Sequence, residues 1–196
     1  MTEKYRDFLG WTIYQIYPRS FQDSNGDGLG DLRGILSRLD YLKDLGINAV
    51  WLCPCYKSPN EDNGYDIADY RDIMDEFGTM ADMKALISEL HRRDMKLILD
   101  LVPNHTSTQH RWFRESRKSR DNPYSDWFDC PPNDWKSCFG GSAWQFDPAR
   151  QQYYLHSYAV GQADLNWENP TVVREMQEVV DFWVDLGADG FRIDVI

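Results

Sequence analysis

Features that would mark a membrane or secreted protein are missing from this sequence. No stretch of its 196 residues approaches the roughly 18 consecutive apolar residues that a membrane-spanning helix needs. The N-terminal segment has no continuous apolar core behind a basic start, so no secretory signal is expected. The sequence therefore predicts a chain that neither spans a membrane nor has a membrane partner.

Cysteine is scarce, with four residues at positions 53, 55, 130 and 138. Four cysteines do not make a disulfide framework in a chain of this size. Cys53-Pro54-Cys55 has no second cysteine pair or histidine pair at zinc-finger spacing. We therefore expect reduced, structural thiols and a cytoplasmic location.

Positive charge is also in deficit. Lys and Arg number 21 against 32 Asp and Glu, which gives a formal net charge of −11. Such a chain repels the phosphates of nucleic acids and the surface of anionic lipids, so neither is expected as a partner. Aromatic residues, in contrast, make up 14% of the chain. Their flat faces suit sugar rings, although core packing is their more common use.

Hydrophobic periodicity predicts strands alternating with helices. Short apolar, β-branched runs predict four strands, at residues 11–17, 47–53, 96–102 and 190–196. Three helices are predicted between them, after Asp31 as an N-cap, after Thr79 with Asp82 as a capping box, and at Pro170. Repeated β-α-β units with apolar strands predict a parallel sheet covered by helices.

The spacing of the predicted strands leaves one long interval, of 64 residues, at 104–167. An interval of that length is too long for a plain loop, so we expect a small inserted domain there. Barrel enzymes build their active sites in the segments that follow strand ends. Four strands could form a nearly complete doubly wound sheet or the first half of a (β/α)8 barrel, and the spacing leaves both open.

An Asp/Asn/Gly-rich segment precedes the first predicted helix and has oxygen ligands at alternate positions, which is the pattern of a calcium-binding loop. The candidate ligands are Asp23, Asn25, Asp27, the Leu29 carbonyl and Asp31. Gly34 stands where an EF-hand has its bidentate glutamate, so this is not an EF-hand. A turn that also caps the next helix is the alternative.

Charged and polar side chains cluster at the predicted strand ends. Strand alternation places Arg192 and Asp194 on one face of the last strand, where Arg192 could meet Asp100 of the preceding strand. An Asp–Arg ion pair with a purely structural role is the alternative interpretation of Asp100 and Arg192. Asp194, near an arginine that favours its ionised form, is a candidate carboxylate nucleophile. His105 follows the third strand and is a candidate ligand-binding residue.

The loop after the second strand adds Tyr65 and Asp66 to these candidates. An aromatic face beside an acceptor carboxylate is suited to holding a sugar. An Asx turn is the alternative reading of Asp66.

These motifs, in this order, resemble the α-amylase superfamily, glycoside hydrolase family thirteen. Asp100-Leu-Val-Pro-Asn104-His105 is similar to the motif at that family's third strand, and Gly190-Phe-Arg192-Ile-Asp194 to the nucleophile motif at its fourth. Gln162-Ala-Asp164-Leu-Asn166 resembles the motif that closes its inserted domain B, in the form found in the oligo-1,6-glucosidase group. The resemblance implies the first half of a TIM barrel, with barrel domain at 1–103, domain B at 104–168 and barrel again at 169–196.

The resemblance also implies a retaining α-glucosidase that acts on short oligosaccharides, with a structural calcium ion at the 23–31 loop. Asp194 would be the nucleophile, held charged by Arg192, with Asp100 and Asn104 in support. The implied substrate-binding residues are Tyr65, Asp66, His105, Tyr158, Gln162 and Val195. Val195 stands at the position associated with α-1,6 over α-1,4 linkages, and Tyr158 stands where relatives usually carry phenylalanine.

The family's acid/base glutamate belongs to a fifth strand, which has no counterpart among these residues. Retaining hydrolysis needs that second carboxyl, so we expect the 196-residue chain to lack turnover without the C-terminal half of the barrel. Three alternatives stay open: another α-glucosyl enzyme of the family, such as a trehalose-6-phosphate hydrolase or sucrose isomerase; a non-catalytic amylase-like binding or assembly protein; and an unrelated enzyme that uses the 23–31 loop as a catalytic metal site.

Overall fold

The computed structural model describes residues 7–128 and 132–195. The strands of this part are β1 (Ile13–Ile16), β2 (Ala49–Leu52), β3 (Tyr56–Lys57), β4 (Asp69–Ile73), β5 (Lys96–Leu101), β6 (His105–Ser107), β7 (Trp144–Asp147), β8 (Gln152–Leu155), β9 (Gln162–Asp164) and β10 (Gly190–Ile193). The α-helices are α1 (Pro18–Phe21), α2 (Leu32–Ser37), α3 (Leu39–Asp44), α4 (Met80–Arg92), α5 (Arg111–Ser116) and α6 (Pro170–Leu186). A 3-10 turn at Asp7–Gly10 precedes β1.

The four predicted long strands form one sheet in the order β1-β2-β5-β10. The pairs β1/β2 and β2/β5 are parallel, with Ala49 opposite both Ile13 and Lys96. The apolar residues of the two central strands are mostly buried, whereas Ile13 of β1 and Ile193 of β10 are 50% and 48% exposed. The predicted strand order and direction are confirmed for these pairs, and each strand is shorter than its apolar run.

Local capping signals place two of the helices. Asp31 accepts from the Gly34 N–H at 2.7 Å and caps α2, and Thr79 with Asp82 forms the predicted capping box of α4. The single helix predicted after Asp31 is wrong, because Arg38 breaks it into α2 and α3. The backbone of Arg38 has φ −111° and ψ 6°, and its N–H bonds to the Ile35 carbonyl three residues back. The periodic leucines continue across the break, so their pattern could not reveal it.

The last strand is also shorter than predicted, since β10 ends at Ile193 and leaves Asp194 in the segment just beyond it. Val195 has φ 50°, which a β-branched residue rarely adopts and which ends the extended chain. Residue 196 of the predicted strand lies outside the described residues.

The chain divides into two compact units. The first comprises Met1–Cys55, Asp72–Leu101 and Trp183–Arg192, and the second comprises Tyr56–Arg71, Val102–Phe182 and Ile193–Ile196. The described part of the long interval 104–167 contains α5 and the antiparallel pairs β6/β9 and β7/β8. The domain boundaries that the resemblance implies stay a prediction. Among the described helices, none has the length and apolar character that crossing a bilayer requires.

Candidate active site

In the first unit, Asp100 and Arg192 form an ion pair on neighbouring strands. Arg192 Nη1 donates to Asp100 Oδ1 at 2.9 Å, and the Trp51 indole Nε1 donates to Asp100 Oδ2 at 2.9 Å. The Asp100 side chain is fully buried, and the Arg192 guanidinium lies 5.0 Å from the centre of the Trp51 ring. The expected contact between Asp100 and Arg192 is therefore present. The carboxylate and the indole together fix the direction of the guanidinium.

In the second unit, His105 begins β6 and is 2% exposed. Its Nε2 lies 3.1 Å from the Tyr65 carbonyl oxygen, and its Nδ1 lies 3.2 Å from Asn104 Nδ2. A carbonyl oxygen can only accept, so Nε2 carries the proton and Nδ1 accepts from the Asn104 amide. These two contacts hold the neutral imidazole in one tautomer and fix its ring from both sides.

The electrostatic surroundings of His105 combine burial with negative charge. Burial lowers the pKa of His105 because the imidazolium would lose its hydration, and the carboxylates of Asp164, Asp194 and Asp62 act in the opposite direction. Burial likewise raises the pKa of Tyr158, and the charge of Asp194 adds to that rise. The Tyr158 and His105 ring centres are 5.5 Å apart. The charge of Asp194 thus acts on both rings.

Asp66 is 1% exposed and faces its own loop. Its Oδ1 accepts from the Ser58 hydroxyl at 2.9 Å and from the Asp62 N–H at 3.1 Å, and its Oδ2 accepts from the Glu61 N–H at 2.9 Å. These donors lie four to eight residues back along the chain, so Asp66 holds its own loop together without forming the Asx turn of the alternative reading. A contact of Asp66 with glucose stays a prediction of the resemblance.

Gln162 is also occupied by protein contacts. Its Oε1 accepts from the Ala159 N–H at 2.9 Å, and its Nε2 donates to Asp62 Oδ2 at 2.9 Å. Both ends of the amide are used, so Gln162 positions the Asp62 carboxylate beside the His105 pocket. Its direct contact with substrate stays a prediction.

Sequence reasoning did not nominate Asp62 or Asp164. Asp164 is 5% exposed and stands opposite His105 in the β6/β9 pair. Its Oδ1 accepts from the Ser157 N–H at 3.0 Å, and its Oδ2 accepts from the Ser157 hydroxyl. Asp164 lies inside the 162–166 motif, so the signal for it was in the sequence. Asp62 carries no comparable signal, because its place depends on the distant Gln162.

The 23–31 loop turns at Gly26 and Gly28, both with positive φ. Asp23 accepts from the N–H groups of Asn25, Gly26 and Gly28, and these backbone hydrogen bonds, led by that from Gly26, lower its pKa. The donors of the loop are hard oxygens, which calcium prefers. Within residues 7–128 and 132–195, no three Asp, Glu, His or Cys side chains are gathered as metal ligands. Calcium binding stays a prediction based on the donor types.

The pocket around His105 combines a fixed neutral imidazole, an aromatic ring and several carboxylates. Such negative charge stabilises a reacting centre that becomes positive, as the anomeric carbon does in glycoside cleavage. Together with a parallel sheet and an insertion after its third strand, the pocket defines a class: α/β-barrel proteins that carry functional groups beyond their strand ends.

Comparison with known proteins then gives the family. The family described as alpha amylase, catalytic domain, matches residues 15–196, so the chain belongs to it. An oligo-1,6-glucosidase of Parageobacillus thermoglucosidasius is 62% identical over 191 residues. A trehalose-6-phosphate hydrolase of Bacillus subtilis is 53% identical over 192 residues. Each match covers 94% of this chain but 34% of the relative, so the chain spans about a third of the length of these proteins.

Solved structures agree with this assignment. A trehalulose synthase from Pseudomonas mesoacidophila has a TM-score of 0.91 at 51% identity, over 94% of this chain and 34% of that one. The trehalose-6-phosphate hydrolase of Bacillus licheniformis has a TM-score of 0.92 at 52% identity, over 94% and 35% of the two chains. The predicted fold, the first part of a (β/α)8 barrel, is therefore confirmed.

Proposed function

We propose that this chain is the nucleophile-bearing part of a retaining α-glucosidase that cleaves short α-glucosides, with a preference for α-1,6 linkages. The observation that carries the proposal is the position of Asp194. It follows β10 directly, two residues after Arg192, and its charge acts on His105 and Tyr158. The identity of 62% to an oligo-1,6-glucosidase supports the substrate class.

In the proposed reaction, an Asp194 oxygen attacks the anomeric carbon while the bond to the leaving oxygen breaks. A second carboxylic acid protonates that oxygen, and water later releases glucose from the covalent intermediate. The carboxylates of Asp62 and Asp164 stabilise the positive charge of the oxocarbenium-like transition state. The second carboxyl must lie about 5–5.5 Å from the nucleophile, and no residue of this chain is assigned that part. Turnover is therefore proposed to need the further segment that its longer relatives possess.

A chimera tests the nucleophile. Residues 1–196 replace the matching segment of the Parageobacillus oligo-1,6-glucosidase, and hydrolysis of isomaltose and p-nitrophenyl α-glucoside is measured. The Asp194→Asn chimera is expected to lose at least about 10³-fold in kcat, as nucleophile deletions do. The matched control is Asp185→Asn, an exposed carboxylate on α6, which should keep the activity.

Two results would overturn the assignment of Asp194. One is an Asp194→Asn chimera that hydrolyses p-nitrophenyl α-glucoside as fast as the Asp185→Asn chimera. The other is robust hydrolysis by the 196-residue chain alone that survives the same substitution. Mass spectrometry of the chimera trapped with a slow fluoroglucoside should locate the covalent sugar on the peptide that carries Asp194.

A second candidate function is another α-glucosyl reaction of the same family. It is favoured by the trehalose-6-phosphate hydrolase and trehalulose synthase relatives, at 53% and 51% identity. The same nucleophile would serve all three, so product analysis on isomaltose, sucrose and trehalose 6-phosphate distinguishes them. Val195→Thr is expected to shift cleavage from isomaltose towards maltose if Val195 sets the linkage preference. An unchanged ratio would remove that role.

We also propose that the 23–31 loop binds one calcium ion through Asp23, Asn25, Asp27, the Leu29 carbonyl and Asp31. Calcium is expected to raise the Tm of the chain, and Asp27→Asn should reduce that rise, whereas Asp185→Asn should not. A Tm that changes with neither calcium nor chelator would refute calcium binding by this loop.

We also propose the expected cytoplasmic location. The free thiols of Cys53, Cys55 and Cys138 are compatible with it, and Cys130 lies outside the described residues.

A further inference from the structure

A cavity of about 190 Å³ opens in the second unit between β4 and the start of α5. It is lined mainly by Asp69, Tyr70, Arg71, His110, Arg111 and Trp112. One water needs roughly 10–15 Å³ of such volume, so the space admits a tetrahedral oxyanion with its hydration. None of the side chains nominated for glucoside binding lines this cavity.

One polar group of the lining has a free hydrogen-bonding atom. His110 is 5% exposed, and its Nδ1 accepts from the Trp112 N–H at 3.1 Å. Nε2 must then carry the proton of the neutral ring. Among the described residues it has no partner, and it is not one of the buried unpartnered atoms, which are Asn60 Oδ1 and Thr106 Oγ1. The Nε2–H of His110 is therefore unpartnered but not fully buried, and His110 lines the cavity.

The charges that act on His110 are positive. Burial first, and then the charges of Arg71 and Arg111, together lower its pKa to about 3, with no carboxylate acting in the opposite direction. Arg111 is exposed, and within the described part of the chain its guanidinium forms no ion pair or hydrogen bond. The floor of the cavity therefore combines a neutral N–H donor with a positive potential.

Negative groups do surround the rim. Asp69 uses Oδ1 to accept from the Arg71 N–H at 2.8 Å. Arg71 Nη2 lies 3.7 Å from a carboxylate oxygen of Glu175 and of Glu178, which is too long for a hydrogen bond. These loose contacts leave the guanidinium of Arg71 able to accept a closer anion. Guanidinium groups bind phosphate-type oxygens in bidentate fashion, so two of them beside an N–H donor form a suitable set.

We propose that this cavity is a binding site for a small oxyanion of the phosphate class, held by Arg71, Arg111 and the Nε2–H of His110. Tyr70 connects this site with the candidate active site. The His110 ring centre is 5.5 Å from that of Tyr70, and the Tyr70 hydroxyl lies 2.9 Å from the His105 carbonyl oxygen. An anion bound here therefore contacts residues that support the His105 backbone.

Binding is tested on the 196-residue chain by calorimetric titration with sodium phosphate, with glucose 6-phosphate and glucose as parallel ligands. Saturable phosphate binding that weakens with added salt is expected. Arg111→Gln should weaken it about tenfold, a loss of about 1.4 kcal/mol. The matched control is Arg114→Gln, an exposed arginine of the same helix that does not line the cavity. Phosphate should also raise the Tm of wild type and of Arg114→Gln more than that of Arg111→Gln.

The ligands separate the sources of the anion. Equal affinity for phosphate and glucose 6-phosphate supports a free oxyanion site, and tighter binding of glucose 6-phosphate supports a sugar phosphate as its ligand. The proposal is overturned if phosphate does not bind saturably, or if Arg111→Gln and Arg114→Gln bind it alike. It is also overturned if glucose alone binds as well as glucose 6-phosphate and is equally weakened by Arg111→Gln.

Discussion

Two histidines of the second unit, five residues apart, are both buried and neutral, yet they lie in opposite electrostatic surroundings. His105 is 2% exposed and has the carboxylates of Asp62, Asp164 and Asp194 around it. His110 is 5% exposed and has the guanidinium groups of Arg71 and Arg111. Burial disfavours the charged form of each, so the difference between them comes from neighbouring charge.

The comparison shows how one short segment can carry two kinds of site. The carboxylates around His105 favour a ligand that becomes positive during reaction, as a glucosyl group does. The arginines beside His110 favour a negative ligand. In both places a backbone contact fixes the tautomer, through the Tyr65 carbonyl for His105 and through the Trp112 N–H for His110. The backbone contact therefore fixes which ring nitrogen carries the proton. The charged neighbours determine whether a positive or a negative ligand is favoured.

The largest expected effect concerns the pH dependence of stability. The pKa of His110 is about 3 in the folded chain against an ordinary 6.5. Below pH 6.5 the His110 imidazole binds a proton in the unfolded chain but stays neutral in the folded chain. The free energy of unfolding therefore falls as the pH falls towards 3. The contribution of His110 to this loss reaches on the order of 4–5 kcal/mol at pH 3, because each pKa unit is worth about 1.4 kcal/mol. Urea unfolding at a series of pH values measures it.

The variant His110→Asn isolates that contribution, because asparagine keeps an acceptor for the Trp112 N–H at the start of α5. Its free energy of unfolding should depend less steeply on pH between 6.5 and 4 than that of wild type. Two parallel curves over that range would show that His110 is not held neutral by its surroundings. Histidine resonances followed by NMR should in addition show His105 taking up a proton before His110.

A smaller effect is expected from Asp164→Asn, which changes the surroundings of His105. The change removes a charge that favours the imidazolium of His105, so the pKa of His105 should fall further. It also weakens the two hydrogen bonds from Ser157, at a cost of about 1–3 kcal/mol for a buried acceptor. The matched control is Asp185→Asn on the exposed face of α6. A rise in the pKa of His105 would contradict the assigned surroundings.

Local signals predicted much of the fold. The cap at Asp31, the box at Thr79 and Asp82 and the start of α6 at Pro170 each depend on contacts within one helical turn, so the sequence contains them in full. The order of the sheet strands followed from their alternation with helices. The break at Arg38 escaped prediction because a tightened turn leaves the apolar pattern of the flanking helices unchanged.

The candidate site was less predictable, because its charged groups are placed by contacts between residues that are far apart in the sequence. Asp62 reaches the pocket through Gln162, 100 residues away, and Asp164 through the β6/β9 register. The three contacts that Asp66 accepts from its own loop were also not evident in the motif, and its contact with glucose stays a prediction. The cavity at His110 had no sequence signal, as it depends on how β4 approaches α5.

The smallest expected effect is a shift in the pKa of His110 when Arg111 loses its charge. Arg111 is exposed, so solvent screens its charge, and Arg111→Gln should raise the pKa of His110 by less than about one unit. Arg114→Gln should leave it unchanged, since Arg114 is not among the charges that act on His110. The ring carbon shifts of His110, followed by NMR from pH 5 downwards, measure both. If the two variants titrate alike, the low pKa of His110 comes from burial and Arg71, and Arg111 has no part in its positive surroundings. If Arg111→Gln alone moves the titration, the guanidinium charge reaches the imidazole, as the difference between the two histidine pockets requires.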